Sequence, residues 1–523
     1  MKDDIINVIN NIINTYKGDE YIIDKFQNYM INHLPSQVLH WKEDQQQRIS
    51  RTKNLADGLD SFVESFIRRH MYFYNHQNEY YFSYNGREFN HTTEDSITQK
   101  ISFFIETEYP LLTQWSKRTK MTVLKKIKDK SLVCAIPESD TIQLVLKLLH
   151  PSLFVKRNEA KYFLCVLGDN ILKKYNIANQ QTTTQFHFID SKAKELLRVL
   201  EYHAIYYLSN GCMASIKHKH HEHSYELSRI ISILPCVQQR DNWWWKDINN
   251  HALDILCVAC HYSNRYGSSD KFLDTLQSET CIRNRIMFLK DKTPETVVCM
   301  FYNEYLLSIE NKNHVTSNIK QDNNCITWKD TTFLWKQFLE SNQLPNIMFL
   351  QTLKQELIEH INTRICTQGN SCYFNEINDT FIGVTSKLMP NLQCFLSFWQ
   401  GTMIEDETEH FLEIEEIGHL YKDWCKSNGN QEIQIERLKE LIRFYYPNTD
   451  WHEDKYIHGY KNKLWNKKTD ILIALDMLKD SLTAQYNINV YDAYEHYCKY
   501  HNRVKPTALL VSKVYFEHIW DTI

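Results

Sequence analysis

The residues nearest to phosphate chemistry lie between Phe186 and Leu197. Phe186, His187, Phe188 and Ile189 read as a strand. The turn Asp190-Ser191-Lys192-Ala193-Lys194-Glu195 then leads into a helix opening on Leu196 and Leu197. That order is the outline of a phosphate-binding loop. A working loop needs glycines, so that backbone N–H groups converge on one phosphate, and a lysine followed by Ser or Thr for the terminal phosphates and magnesium. Here both glycines are missing, and neither Lys192 nor Lys194 is followed by Ser or Thr. Asp190 and Glu195 would repel an anion, and no strand ending in paired carboxylates comes after them to hold magnesium. The expectation is an ordinary strand–helix unit or a loop that has lost its ATPase chemistry. No catalytic residue is assigned.

A second set could ligate metal. His218, His220, His221 and His223 cluster around Glu222, with Cys212 and Cys236 on either side and Cys257-Val258-Ala259-Cys260-His261 downstream. The last five match the pattern of covalent haem attachment, but they fall inside a helical stretch with no apt distal ligand. Cys-x-x-Cys on an amphipathic helix more often supplies two small buried hydrophobes than a zinc site. No metal and no cofactor is therefore expected, and the histidines read as a solvated strand or a phosphate-facing patch.

Basic residues beside aromatics suit a phosphate backbone with stacked bases. The densest run is Lys117, Arg118, Lys120, Lys125, Lys126 and Lys128, with Lys130 beyond and Trp115 alongside. A second group, Lys461, Lys463, Lys467 and Lys468, surrounds Trp465. Both are candidate nucleic-acid contacts. The competing reading of each is a solvated helix face.

The 523 residues carry a net charge of −4, so any such contact is a local patch on a chain that is no polycation. Glycine is scarce, with 12 residues, which limits tight turns and glycine-built loops. Lys, Asn, Ile and Tyr are abundant, as in proteins from AT-rich genomes. The N-terminus is charged and amphipathic without an apolar leader core, and the 14 cysteines lack disulfide-type spacing. A reducing, cytosolic setting with free thiols is expected. No apolar run approaches a membrane span.

Periodicity predicts helices over most of the chain, including residues 1–75, 117–130, 139–149, 158–174, 192–207 and 251–265. Asn85-Gly86 between aromatic runs predicts a hairpin over 79–91, followed by a helix capped at Thr92-Thr93-Glu94-Asp95. A weak strand pair is expected at 371–374 and 380–384. Two C-terminal stretches repeat at an offset of 73. Ile417, Leu420, Tyr421, Trp424 and Cys425 are echoed by Val490, Ala493, Tyr494, Tyr497 and Cys498; Leu438, Leu441 and Ile442 by Val511, Val514 and Tyr515. Each reads as helix, turn, helix, over 411–446 and 486–521, with Cys425 and Cys498 both buried. The fold class is α+β, predominantly α-helical. The expected segments are an N-terminal helical and hairpin domain (1–130), a degenerate ATPase-like middle domain (131–310), a polar linker (311–329), a helical connector (330–410) and two winged-helix-like modules (411–480 and 481–523).

The hairpin Tyr80–Phe89 resembles the small domain that precedes the ATPase of phage and large-DNA-virus primase–helicases. The phrase Leu412-Glu413-Ile414, Ile417, Leu420-Tyr421, Trp424-Cys425 and Gly429 resembles the winged-helix-like tail of poxvirus-type superfamily-3 primase–helicases. The order of hairpin, ATPase-like middle and winged tail matches as well. The resemblance implies a large-DNA-virus replication or transcription protein of the host cytoplasm (viral factory) or the virion. Its partners would be nucleic acid, DNA or RNA, and viral replication or transcription proteins, with no membrane. The departure at the phosphate loop keeps ATPase activity from being carried over. The reading is a non-catalytic protein that binds nucleic acid or scaffolds a replication complex. The alternatives are a structural or virion-associated interaction protein, and an enzyme whose site is unrecognised.

Overall fold

The computed structural model describes residues 2–174, 185–221, 223–234, 241–308, 325–365, 372–407, 409, 412–481, 489–504 and 509–520. The chain is predominantly helical with several small sheets. It divides into two compact units, residues 1–292 with 343–347, and residues 293–342 with 348–523.

The first unit begins with α1 (Lys2–Thr15), α2 (Glu20–Asn28) and the long α3 (Leu34–Arg69). Among the described residues nothing before Leu59 is buried, although α1 carries an apolar stripe. A three-stranded antiparallel sheet comes next: β1 (Met71–Asn75), β2 (Tyr80–Tyr84) and β3 (Phe89–Thr92), in that order. The β2–β3 turn is the predicted one. Asn85 Oδ1 accepts from the backbone N–H of Arg87 and Glu88 at 2.8 and 2.7 Å, and Gly86 takes a φ of 91°. Met71–Asn75 departs from the helical expectation. Its Tyr72, Phe73 and Tyr74 pair with Ser83, Phe82 and Tyr81, and aromatic residues fit a pleated, half-buried surface. Thr93 caps α4 (Glu94–Glu108), and α5 (Ser116–Lys128) then packs with α3 and α4 around Phe62, Phe66, Ile97, Ile101, Val123 and Ile127.

A second core in the same unit is built from α6 (Ser139–Leu149), α7 (Arg157–Ile171), β4 (Phe186–Ile189), α8 (Lys194–Leu208), β5 (Ile216–Lys217), β6 (Ser228–Ile231), α9 (Asn242–Asn250), α10 (Ala252–Tyr266), α11 (Ser269–Thr275) and α12 (Thr280–Ile286). α7 is buried on almost every face beyond its first turn, and α10 on almost every face up to its last turn. They cross at Gly168, where a Cβ would collide with the Ala259 carbonyl and come within 2.7 Å of Ser263 Cβ, so only glycine lets the backbones approach. Buried Asp169 accepts the Ser269 N–H at 2.7 Å and ties α11 to this pair. β4 lies between β5 and β6, parallel to both. Arg229 on β6 is buried against Asp270 at 2.8 Å.

The second unit runs α13 (Pro294–Tyr305), β7 (Leu307–Ser308), β8 (Cys325–Thr327), α14 (Trp328–Ser341), α15 (Leu350–His360), β9 (Tyr373–Asn375), β10 (Thr380–Ile382), β11 (Val384–Thr385) and α16 (Met389–Thr402). The sequence places residues 293–308 with the middle segment. In the structure β7 pairs with β11, so these residues belong to the second unit. Most of the predicted linker, residues 311–324, lies outside the described residues, and its end forms β8 and the start of α14. The predicted strand pair forms as β9 and β10.

After α16 come β12 (Met403–Glu405), β13 (Leu412–Glu413), α17 (Ile414–Ser427), α18 (Ile435–Tyr445), β14 (Asp450–His452), β15 (Tyr456–His458) and β16 (Tyr460–Asn462). β13, β15 and β14 make an antiparallel sheet in that order, and β12 pairs with β16. Phe395, Phe398, Ile417, Tyr421, Leu438, Ile442 and Ile457 form their common core. Finally α19 (Lys467–Ser481), α20 (Val490–Val504) and α21 (Lys513–Trp520) pack around Ala474, Ala493, Tyr497, Val511, Tyr515 and Phe516. Among the described residues no helix is long and apolar enough to cross a membrane.

Candidate nucleic-acid interface

Thr119, Val123 and Ile127 recur every four residues on α5 and are buried. That spacing fixes the opposite face outward, and it carries Lys117, Arg118, Met121 and Lys125. Lys117, Arg118, Lys125 and Lys126 are exposed, while Lys120 and Lys128 are half-buried. Lys126 sits on one flank and Lys120 on the other. Lys128 is folded back, its Nζ 5.3 Å from the ring centre of Tyr74 and 5.9 Å from that of Tyr81.

Two features set this face apart from an ordinary solvated helix. Among the described residues none of the six cations forms an ion pair with a carboxylate, whereas surface lysines and arginines elsewhere in the chain often do, such as Lys499 with Glu495 and Arg198 with Glu195. The first turn of α5 also carries Lys117 and Arg118 and no acidic residue. Cations there oppose the helix dipole and cost about 0.3–1 kcal/mol each, a penalty that a bound anion relieves. Arg118 lies 4.5 Å over the Trp115 ring centre, giving a flat cationic plate beside Met121, which is 64% exposed. Gln114, Trp115, Lys117, Arg118, Met121, Thr122 and Lys125 line one shallow groove. The sequence pointed to the cations but not to Gln114, Met121 or Thr122, whose outward positions follow only from the buried stripe.

The second lysine group is placed differently. Lys467 is buried and paired with the buried Glu416, its ammonium 4.6 Å from the Tyr515 ring centre. Lys461 pairs with Asp406 at 2.9 Å, and Lys463 donates to the Gly401 carbonyl at 3.1 Å. Burial raises the Glu409 and Glu416 carboxyls, and Lys467 pulls both back. Only Lys468 is exposed without such a contact. These lysines hold β16 and α19 in place, which leaves little charge for a phosphate backbone.

The turn after β4 keeps the outline of a phosphate loop but fills it with its own anion. Asp190 Oδ1 accepts from the Lys192 N–H at 2.8 Å, and residues 191–193 form a 3-10 turn leading into α8. Lys192 and Lys194 stand beside Asp190 and Glu195, with Glu195 paired to Arg198 at 2.8 Å.

The histidines do not form one solvated strand: His220 is buried, His218 and His223 are half-buried, and His221 is exposed. β5 ends at Lys217, and His220 is buried, packed 5.0 Å from the Phe188 ring and 4.8 Å from Tyr225. Burial lowers its pKa to about 4, with His223 and His221 adding to the effect. The His220 imidazole serves here as an aromatic plate, which the local sequence cannot distinguish from a ligand. Cys257 and Cys260 point into the core, where burial pushes both thiols up, Cys260 to about 12. Among the described residues no three His, Cys, Asp or Glu side chains are grouped to hold a metal ion. The described cysteines form no disulfide with one another. Comparison of the chain with models of protein families, with characterised proteins and with solved structures finds no match.

Proposed function

We propose that this protein is a non-catalytic nucleic-acid-binding component of a viral replication or transcription assembly, contacting phosphates through α5 and partner proteins through its C-terminal half. The observation that carries the proposal is the outer face of α5, with its exposed, carboxylate-free cations and an arginine stacked on tryptophan. Such a surface meets several phosphates at once and offers a plate for an unstacked base. The abundance of Lys, Asn, Ile and Tyr and the primase–helicase resemblance support a large-DNA-virus setting in the host cytoplasm or the virion.

A separate observation favours protein partners for the second unit. The succession α16, β13, α17, α18, β14, β15, with β15 central in the sheet, supports a winged-helix reading. In that reading α18 is the helix that would enter a groove. Its Arg437 pairs with Glu440, Lys439 with Glu436, and Arg443 with Asp454. The turn between β14 and β15 carries Glu453 and Asp454. Neutralised cations and an acidic wing suit a protein surface better than DNA.

Fluorescence anisotropy with single- and double-stranded DNA and RNA across a salt series tests the first part. Lys125→Glu with Lys126→Glu should weaken binding at least about tenfold, equally for all sequences, and lower the salt slope by about 2. Absence of binding to all four at low salt would leave the scaffold reading alone.

A further inference from the structure

α7 and α10 each present two basic groups, four residues apart, to one concave pocket of the first unit. Arg157 and Lys161 come from the start of α7, His261 and Arg265 from the end of α10. The facing wall is the entry to α6, with Ile136, Pro137, Ile142 and Gln143, and the pocket encloses about 520 Å³. No carboxylate lines it. Glu138 and Asp140 adjoin Ser139 in sequence but lie outside the lining. Glu159 is buried on another face of α7 and paired with Arg285 at 2.9 Å. Glu279, the carboxylate that bears on Lys161, is engaged by the Asn158 amide. Arg157 donates to the Gln143 side chain. Among the described residues none of the four basic groups has an acidic partner within ion-pair distance.

Four basic groups drawn together without a counter-charge repel one another, and the site shows it. Lys161 is held below the ordinary lysine range, first by burial and then by Arg157 and Arg265. His261 is lowered by burial and then by Arg265. Arg157 and Arg265 are exposed at the rim while Lys161 and His261 are half-buried between them, so an anion seated there would meet both guanidiniums and relieve the repulsion on Lys161. The opposite side is apolar: Ile136 is 76% exposed, Pro137 and Ile142 lie beside it, and buried Tyr262 forms part of the floor.

We propose that this pocket binds a small phosphorylated molecule carrying at least two negative charges. Its phosphates would sit among Arg157, Lys161, His261 and Arg265, with its organic portion against Ile136, Pro137 and Ile142. The guanidinium forks of Arg157 and Arg265 suit bidentate phosphate contacts, and Lys161 adds a point charge between them. The volume admits a ligand of nucleotide size. The site is built from different elements than the turn after β4, and from none of the α5 residues.

Differential scanning fluorimetry and calorimetry on the full chain, at matched ionic strength, test the assignment with pyrophosphate, a nucleoside diphosphate and a 5′-phosphorylated oligonucleotide. Pyrophosphate and the diphosphate should each raise the melting temperature, with the diphosphate more effective because it also covers the apolar wall. Arg157→Gln with Arg265→Gln should reduce affinity for both by about tenfold or more. Lys161→Met should raise the melting temperature of the free protein, by removing the repelled charge, and abolish most of the ligand-induced rise. Lys499→Gln, an exposed change in the other unit, should alter neither. The proposal falls if neither small phosphate gives a shift at millimolar concentration, if the shift survives both pocket variants, or if Lys161→Met destabilises the free protein. A response confined to the oligonucleotide would assign the pocket to nucleic-acid ends and overturn the small-ligand assignment.

Discussion

His187 and His220 are buried imidazoles whose charged forms the protein cannot accommodate. His187 is held down to about pH 3 by burial, its Nδ1 2.9 Å from Ser215 Oγ, and His220 to about 4. Both folded values lie below the unfolded value of about 6.5. The unfolded chain therefore binds more protons below that pH, and stability falls as pH drops from about 6.5 toward 4. Asp254, Glu409 and Glu416 are raised by burial and act in the opposite sense, so a difference between variants is the clean readout. His220→Phe keeps the aromatic contacts with Phe188 and Tyr225 and removes an Nε2 that has no hydrogen-bond partner. The melting temperature of this variant should fall less between pH 7 and pH 5 than that of the native chain. Equal falls would show that His220 charges without penalty. At this scale the sequence displayed the histidine cluster, but which rings face inward depends on Phe188 and Tyr225, brought in by other elements.

The C-terminal repeat shows how far an element is written in its own residues. Both predicted first helices form, as α17 and α20, with Tyr421 and Tyr494 in matching helices. The faces they bury differ by about one residue. On α17 the fully buried set includes Ile417, Tyr421 and Cys425, with Trp424 half-buried; on α20 it includes Ala493, Tyr497 and His501, with Tyr494 and Cys498 half-buried. Cys498 is thus not the buried counterpart of Cys425, which sits against Cys394 of α16 at 3.6 Å. Val511 precedes α21 rather than lying on it, and Val514 is exposed. α17 packs against α16 and a sheet, whereas α20 packs against α19, so each helix turns toward a different neighbour. Tyr497 donates to Asp470 at 3.1 Å and accepts from the Val511 N–H at 3.1 Å. Tyr497→Ala should cost about 3–5 kcal/mol and deprotect α19–α21 in amide hydrogen exchange. Trp424→Ala should leave α17 and α18 largely protected. The same loss in both would restore the simple repeat.

For the whole molecule, charge and burial are unevenly distributed. The net charge of −4 coexists with two local cationic surfaces, α5 and the α7–α10 pocket. Residues 2–50 form α1, α2 and the first half of α3, none of whose side chains is buried. Deleting residues 1–50 should therefore leave the melting temperature of the remainder within about 2 °C, because roughly 1 kcal/mol moves a large domain by only ~2–4 °C. A fall well beyond that would mean the arm supports a core.

The sequence by itself determined the elements whose signals are local. The Asn85-Gly86 turn and the cap at Thr93 rest on contacts between residues within a few positions of one another, and α6 and α5 announce themselves by the local spacing of their apolar residues. The absence of phosphate-loop glycines and of a Lys-Ser/Thr pair after β4 was also legible locally, because a missing residue is missing in any fold. Tertiary structure alone decided which charges are satisfied. Lys467 and Glu416 neutralise each other, and so do Arg443 and Asp454, while Arg157 and Lys161 meet His261 and Arg265 across two helices that only Gly168 allows to cross. Side-chain charge reads the same in sequence whether it is paired, buried or exposed. The difference is set by long-range packing, where desolvation and a partner a few ångströms away outweigh every local propensity.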